Sequence, residues 1–236
     1  QTSVRQALQR QTQALVNRYA REYSSNHIHN LAAIVADVET GEVLAYAGNA
    51  TYPADERRGN QVDIITSPRS TGSILKPFLY AGMLHDGLLL PSMLVSDVPL
   101  NINGFSPHNY NKTFYGAVPA HVAIERSLNV PLVRMLSQYN TGRFMSLLKS
   151  WGMTTLRFSE EHYGASLILG GAEGTLWDLS GMYASMSRVL KHYRTYNGRY
   201  NPADIHPLTP FPAERKEPIR SLTLSLIHIS EPTRLR

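Results

Sequence analysis

The chain has no cysteine among its 236 residues, which excludes disulfides and thiolate metal sites and leaves the compartment open. It has no run of about 18 apolar residues of the kind that spans a bilayer, and it starts at Gln1 with neither an initiator methionine nor a signal peptide. The beginning therefore reads as cut, and the absence of a membrane anchor here says nothing about the parent. Charge is sparse at 17%, against 42% apolar content, so a globular domain is expected and disorder is not. The formal net charge of +5 is spread along the chain with no basic runs interleaved with aromatics, which argues against a nucleic-acid partner. His27 and His29 stand two apart in a polar stretch without acidic neighbours, so they read as surface residues and no metal is expected.

What is present fits one good-sized domain. Ser3 to Glu22 carries Val4, Leu8, Leu15, Val16 and Tyr19 among polar residues, a weakly amphipathic helix that reads as a connector from something upstream. Leu31 to Gly48 predicts a hairpin, with Gly41 supplying the positive φ of its turn. Thr51 to Asn60 reads as a surface loop, and Pro91 to Ala117, rich in Asn, Pro, Gly and Ser, as a long loop region rather than regular structure. Helices are expected over Val118 to Gln138, Thr141 to Trp151 and Thr175 to Tyr193, the last with Thr175 and Asp178 as a capping pair. The glycine cluster Leu169 to Gly174 lacks the lysine of a phosphate loop and reads as tight packing at a helix start.

The chemistry centres on Arg69-Ser70-Thr71-Gly72-Ser73-Ile74-Leu75-Lys76-Pro77. From Ile74 the apolar spacing is helical until Gly87, which places Ser73 in the first turn and Lys76 on the same face, within reach of its hydroxyl. A serine hydroxyl needs a base, and a lysine serves when burial lowers its pKa. The helix start also aims free N–H groups at a developing oxyanion. Alone, S-x-x-K is weak, since about one match arises by chance in a chain this long, and an ordinary capped helix fits it too. A second match, Ser146 to Lys149, lacks the preceding glycine and following proline and reads as structural. Ser127-Leu128-Asn129 puts a hydroxyl and a carboxamide two apart, which a regular helix would splay, so a break is expected there with Pro131 opening a second helix. Ser24-Ser25-Asn26 repeats that pattern in a polar loop and reads as incidental.

Ser73-x-x-Lys76-Pro77 followed by Ser127-x-Asn129 resembles the first two signature motifs of penicillin-binding proteins and serine β-lactamases. Ser106-Pro107-His108-Asn109-Tyr110, Tyr115-Gly116-Ala117-Val118 and Glu125 to Pro131 resemble the approach to the second motif in class A, bifunctional penicillin-binding proteins, most like the 1C type. The resemblance runs from about Leu31 to Pro212. It implies an α+β fold, an antiparallel sheet with helices on both sides and the Ser73 helix buried between, incomplete at the C-terminus, with only the first hairpin of the sheet present. It implies a peptidoglycan D,D-transpeptidase domain in which Ser73 attacks the D-alanyl-D-alanine carbonyl, Lys76 takes its proton, Ser127 relays it and Asn129 binds the substrate backbone. No cofactor is implied. The implied partners are stem peptides and β-lactams, with membrane contact only through the missing upstream anchor, at the periplasmic face of a bacterial inner membrane. A glycosyltransferase domain would belong to the parent protein. The alternatives are a β-lactamase or penicillin-sensor relative, and a non-catalytic interaction module.

The resemblance breaks at the third motif, Lys-Ser/Thr-Gly, which this sequence does not contain. Lys112-Thr113 is followed by Phe114, and Lys149-Ser150 by Trp151. Leu224 to Arg234 resembles a translated sequencing-library adapter. The expected organisation is a connector over 1–30, a partial transpeptidase domain over 31–223 and a non-native tail over 224–236. Such a piece is expected to fold poorly and to cross-link nothing.

Overall fold

A computed structural model describes residues 2–52, 56–102 and 104–212. The tail expected over 224–236, and residues 213–223 before it, lie outside the described residues.

Strands β1 (Ala33–Ala36) and β2 (Val43–Ala47) form the predicted antiparallel hairpin. Its turn is stapled by Asp37, whose Oδ1 accepts from the Glu39 and Thr40 amides at 2.9 Å. Those two bonds hold the Asp37 carboxyl below its ordinary pKa. Gly41 takes φ +71°, and a Cβ there would sit 2.7 Å from His206 Cε1, so both conformation and space require glycine. Side chains alternate across the pleat. Ala33 and Ala47 pack with Val16 and Ala20, while Ile34 and Ala36 pack with Val43, Ala184 and Leu208. Helix α1 (Gln6–Glu22) thus covers one face, and α7 (Leu176–His192), which carries Ala184, covers the other. The expected layering is present.

Amides fix α1 to the sheet. Tyr46 N donates to Gln9 Oε1 at 2.7 Å, and Gln9 Nε2 donates to the Tyr46 carbonyl at 2.8 Å, so one glutamine satisfies a strand residue as a neighbouring strand would. On the same side of the hairpin sequence, Thr209 bridges Glu42 in parallel through Thr209 N to Gly41 O (2.9 Å) and Val43 N to Thr209 O (2.8 Å). β1 pairs with β2 alone among the described residues, and all four of its side chains stay half-buried.

The helix-covered sheet holds only this hairpin among the described residues, as expected, and two further strand pairs form separate two-stranded sheets. β3 (Arg69–Ser70) pairs with β6 (Glu173–Gly174), and β4 (Leu94–Asp97) pairs with β5 (Gly116–Pro119), both antiparallel. The second pair corrects the reading of Pro91 to Ala117 as loop, and Val118 is a strand residue rather than the start of a helix. Its sequence signal was weak because β4 has four residues with one fully buried side chain, so no apolar alternation marks it.

The main core joins α2 (Lys76–His85), α4 (Asn129–Tyr139) and α5 (Thr141–Ser150), with the one-turn α6 (Glu160–Tyr163) packed on α5. Phe78, Leu79, Met83, Leu132, Leu136, Phe144 and Leu148 all bury almost completely there. Each such side chain is worth about 1.5–3 kcal/mol of transfer free energy. Gly82 lets the helices close in, since a Cβ would stand 2.7 Å from Leu147 Cδ2 and 2.9 Å from the Tyr139 hydroxyl. The predicted Thr175 cap is made: its Oγ1 accepts from Asp178 N at 2.9 Å, while the Asp178 carboxylate turns outward to Thr154. Fully buried Arg188 ties α7 to the hairpin turn and to the segment over 204–206, donating to Val38 O, Asp204 O, His206 O and Ser185 Oγ. No helix among the described residues is long and apolar enough to cross a membrane.

Candidate active site

Ser73 lies one turn earlier in the local structure than the sequence suggested. α2 begins at Lys76, and Ser73 sits in a tight lead-in where Ile74 N donates to Thr71 O and Lys76 N to Ser73 O, each at 3.1 Å. These i to i+3 bonds wind the chain more tightly than an α-helix, which exposes the serine at the bend. The turn is held from three sides. Ser70 Oγ donates to Gly170 O at 2.7 Å, Thr71 N and Oγ1 both donate to Ala172 O at 3.0 and 3.1 Å, and the Tyr183 hydroxyl donates to Ile74 O at 2.7 Å. The glycine cluster therefore packs against the Ser73 turn through β3 and β6, rather than only against the start of α7. A Cβ on Gly170 would come within 2.8 Å of the Gly72 backbone.

Ser127 occupies the break expected between two helices. α3 (Ala120–Glu125) ends in a Schellman turn: Leu128 N donates to Ala123 O at 2.9 Å and Ser127 N to Ile124 O at 3.0 Å, with Ser127 at φ +51°. That position normally takes glycine, because a Cβ is strained there. α4 then starts at Asn129, with Pro131 in its first turn as predicted.

Lys76 joins the two motifs. Its side chain is 1% exposed, and its Nζ donates to Ser127 O (2.8 Å), Ser127 Oγ (3.2 Å) and Asn129 Oδ1 (2.7 Å). Burial pushes its pKa down to about 8, since the charged form loses hydration. The three protons of an ammonium are thus directed to the second motif, and among the described residues no hydrogen bond joins the Lys76 Nζ to the Ser73 hydroxyl. The Ser73 hydroxyl and N–H have no hydrogen-bond partner there either. Lys76, Ser127 and Asn129 come together directly, with Ser73 one helical turn before the lysine. Of the incidental matches, Ser146 Oγ bonds back to Gly142 O at 3.0 Å within α5, and Ser24 to Asn26 form a surface 3-10 turn. His27 is exposed, and His29 Nδ1 contacts Arg58 at 2.6 Å. No group of three His, Cys, Asp or Glu among the described residues is placed to hold a metal ion.

Sequence reasoning assigned no role to Asn109, Asp97 or Tyr183. Asn129 Nδ2 donates to His108 O at 2.8 Å, and Asn129 N donates to Asn109 Oδ1 at 2.9 Å, so the segment before the second motif holds that motif directly. The signal in the sequence was an asparagine two residues after Pro107 in a loop, which by itself is ordinary turn composition.

Comparison with known proteins places the chain in a family. Residues 31–176 match the family described as the penicillin-binding protein transpeptidase domain. Penicillin-binding protein 1C of Escherichia coli is 36% identical over 159 residues, 67% of this chain and 20% of the relative. Penicillin-binding protein 1B of Vibrio cholerae is 26% identical over 166 residues, 68% of this chain and 20% of the relative. The chain thus spans about a fifth of the length of these curated relatives. Among solved structures, the transpeptidase domain of Burkholderia pseudomallei penicillin-binding protein 3 superposes with TM-score 0.69 at 19% identity, covering 92% of this chain and 63% of that one. PonA1 of Mycobacterium tuberculosis, in complex with penicillin V, gives 0.59 at 19% identity over 80% and 51%. At these identities the structural likeness carries the fold. With the sequence match, it establishes that this chain belongs to the penicillin-binding protein transpeptidase domain family.

Proposed function

We propose that the protein is a peptidoglycan D,D-transpeptidase working through a serine acyl-enzyme, with Ser73 as nucleophile. The observation that carries the reading is the buried Lys76 Nζ bonded to Ser127 Oγ and Asn129 Oδ1, because burial lowers the lysine pKa and the bond to Ser127 connects it to a second hydroxyl. Neutral Lys76 accepts the Ser73 proton as the oxygen attacks the D-alanyl-D-alanine carbonyl. The unpartnered Ser73 N–H is available to the resulting oxyanion. Ser127 Oγ passes the proton to the leaving D-alanine amine, the acyl-enzyme forms, and Asn129 Nδ2 and Oδ1 hydrogen-bond the donor peptide. The amine of a second stem peptide then attacks the ester, releasing Ser73 and completing the cross-link. β-Lactams enter as mimics of the dipeptide and leave Ser73 esterified.

In this reading residues 31–223 are part of the catalytic domain and 1–30 connect it to an upstream glycosyltransferase domain and membrane anchor, with the protein on the periplasmic face. The adapter-like tail and the missing Lys-Ser/Thr-Gly motif belong together, and residues 1–223 alone cross-link nothing. That same missing motif is what favours the second reading, a non-catalytic penicillin-binding-like module. The test is labelling of the full-length protein encoded at the source locus with fluorescent penicillin. Labelling that disappears in Ser73→Ala is expected; equal labelling in that variant sinks the assignment. Rapid release of the label would instead point to a β-lactamase.

A further inference from the structure

Asn109 is 3% exposed and Asp97 0%, yet both are strongly polar, so each must be satisfied inside the protein. They satisfy each other and the start of α4. Asn109 Nδ2 donates to Asp97 Oδ1 (2.9 Å), Asp97 Oδ2 (3.0 Å) and Thr113 O (2.9 Å). Its Oδ1 accepts from Asn129 N (2.9 Å) and Val130 N (3.3 Å). Asp97 Oδ2 also accepts from Tyr115 N at 3.0 Å. The orientation of the carboxamide is fixed by its partners, since one side meets only acceptors and the other only donors. Leu128, the residue before α4, offers no side-chain cap. Asn109 supplies that cap from 20 residues away in sequence.

We propose that Asp97 and Asn109 are a positioning pair that sets the place of Asn129, and through it the partners of Lys76. Asp97, at the end of β4, anchors the carboxamide nitrogen. The carboxamide oxygen fixes the Asn129 backbone, while the neighbouring His108 carbonyl fixes the Asn129 side chain, leaving its Oδ1 turned to Lys76. A shift of about 1 Å in such a group costs up to about 100-fold in rate. Neither residue touches the reacting atoms. The proposal rests on the acyl-enzyme reading above.

The test exchanges the two residues in the full-length protein. Asn109→Asp sets two carboxylates about 3 Å apart, and Asp97→Asn replaces one of the two oxygens that face the Asn109 amide with a second donor, so each single variant is expected to acylate more slowly with fluorescent penicillin, by up to about 100-fold. The double exchange restores one acceptor and one donor between the two residues, though not the bond to Thr113 O, and is expected to recover about tenfold of that loss, a coupling that simple damage to the fold would not give. Single variants that acylate like the parent, or a folded double variant no better than the worse single, overturn the proposal. If a single variant is insoluble, the double carries the test: acylation supports the pair, and a double variant that is inactive or insoluble overturns it. Hydrogen exchange at Asn129 and Val130, measured by mass spectrometry, does not pass through acylation. Faster exchange in Asn109→Asp that the double reverses supports the pair; unchanged exchange overturns it. Ser73→Ala run alongside reports on the acyl-enzyme reading separately.

Discussion

A lysine buried to 1% exposure opposes folding while it is charged, and Lys76 shows how large that effect is. Its pKa falls from 10.5 to about 8, so holding the proton in the folded state costs about 3 kcal/mol. Since the unfolded chain binds this proton more tightly, stability rises with pH between about 8 and 10.5, and below 8 the full cost stands. Lys76→Met removes this dependence. The stability difference between Lys76→Met and the parent, from thermal transitions, is expected to move in the parent's favour across that window; a constant difference would refute the buried-lysine account. The same pKa sets the chemistry: acylation is expected to climb about tenfold per pH unit below 8 and to level above it. At Ser127 the two demands also diverge. Ser127→Gly relieves the positive φ and is expected to stabilise the fold by about 1 kcal/mol while slowing acylation, because the relay hydroxyl is gone. A lower melting temperature in that variant would contradict the assigned strain.

Among the elements, those with one long apolar face were legible. α1, α5 and α7 appear within a few residues of their expected limits, and the Ser127 break between α3 and α4 followed from chemistry that a continuous helix cannot present. What was not legible depends on distant partners. The strand pair β4 and β5 is short and partly polar, so its periodicity is lost among turn residues. The Asn109 cap and the contact between Gly170 and Gly72 join segments 20 and about 100 residues apart, beyond any local pattern. The pairing of Lys76 with Ser127 was expected only through family resemblance, because periodicity places each motif on an element but not the elements together. The glycine contact is testable. Gly170→Ala puts a Cβ 2.8 Å from the Gly72 backbone at φ +103°, so a loss of about 1–3 kcal/mol and slower acylation are expected, because the Ser73 turn must move. An unchanged thermal transition would show that the contact does not constrain the turn.

The whole molecule divides into a helical core that is well closed and a hairpin whose two sides are treated differently. α1 and Thr209 engage β2, and among the described residues β1 pairs along one edge alone. Residues 1–223 expressed by themselves are therefore expected to melt without a sharp cooperative transition, as the sequence suggested; a single steep transition by circular dichroism would count against this. The open side of β1 also bears on handling. Ala33-Ile34-Val35-Ala36 carries no charge, no proline and no polar side chain that would block docking by another chain. Such a strand is a template, and two copies can recruit each other through it without either unfolding. Loss of soluble protein is then expected to depend on concentration rather than temperature, and a lysine at Val35 to suppress it.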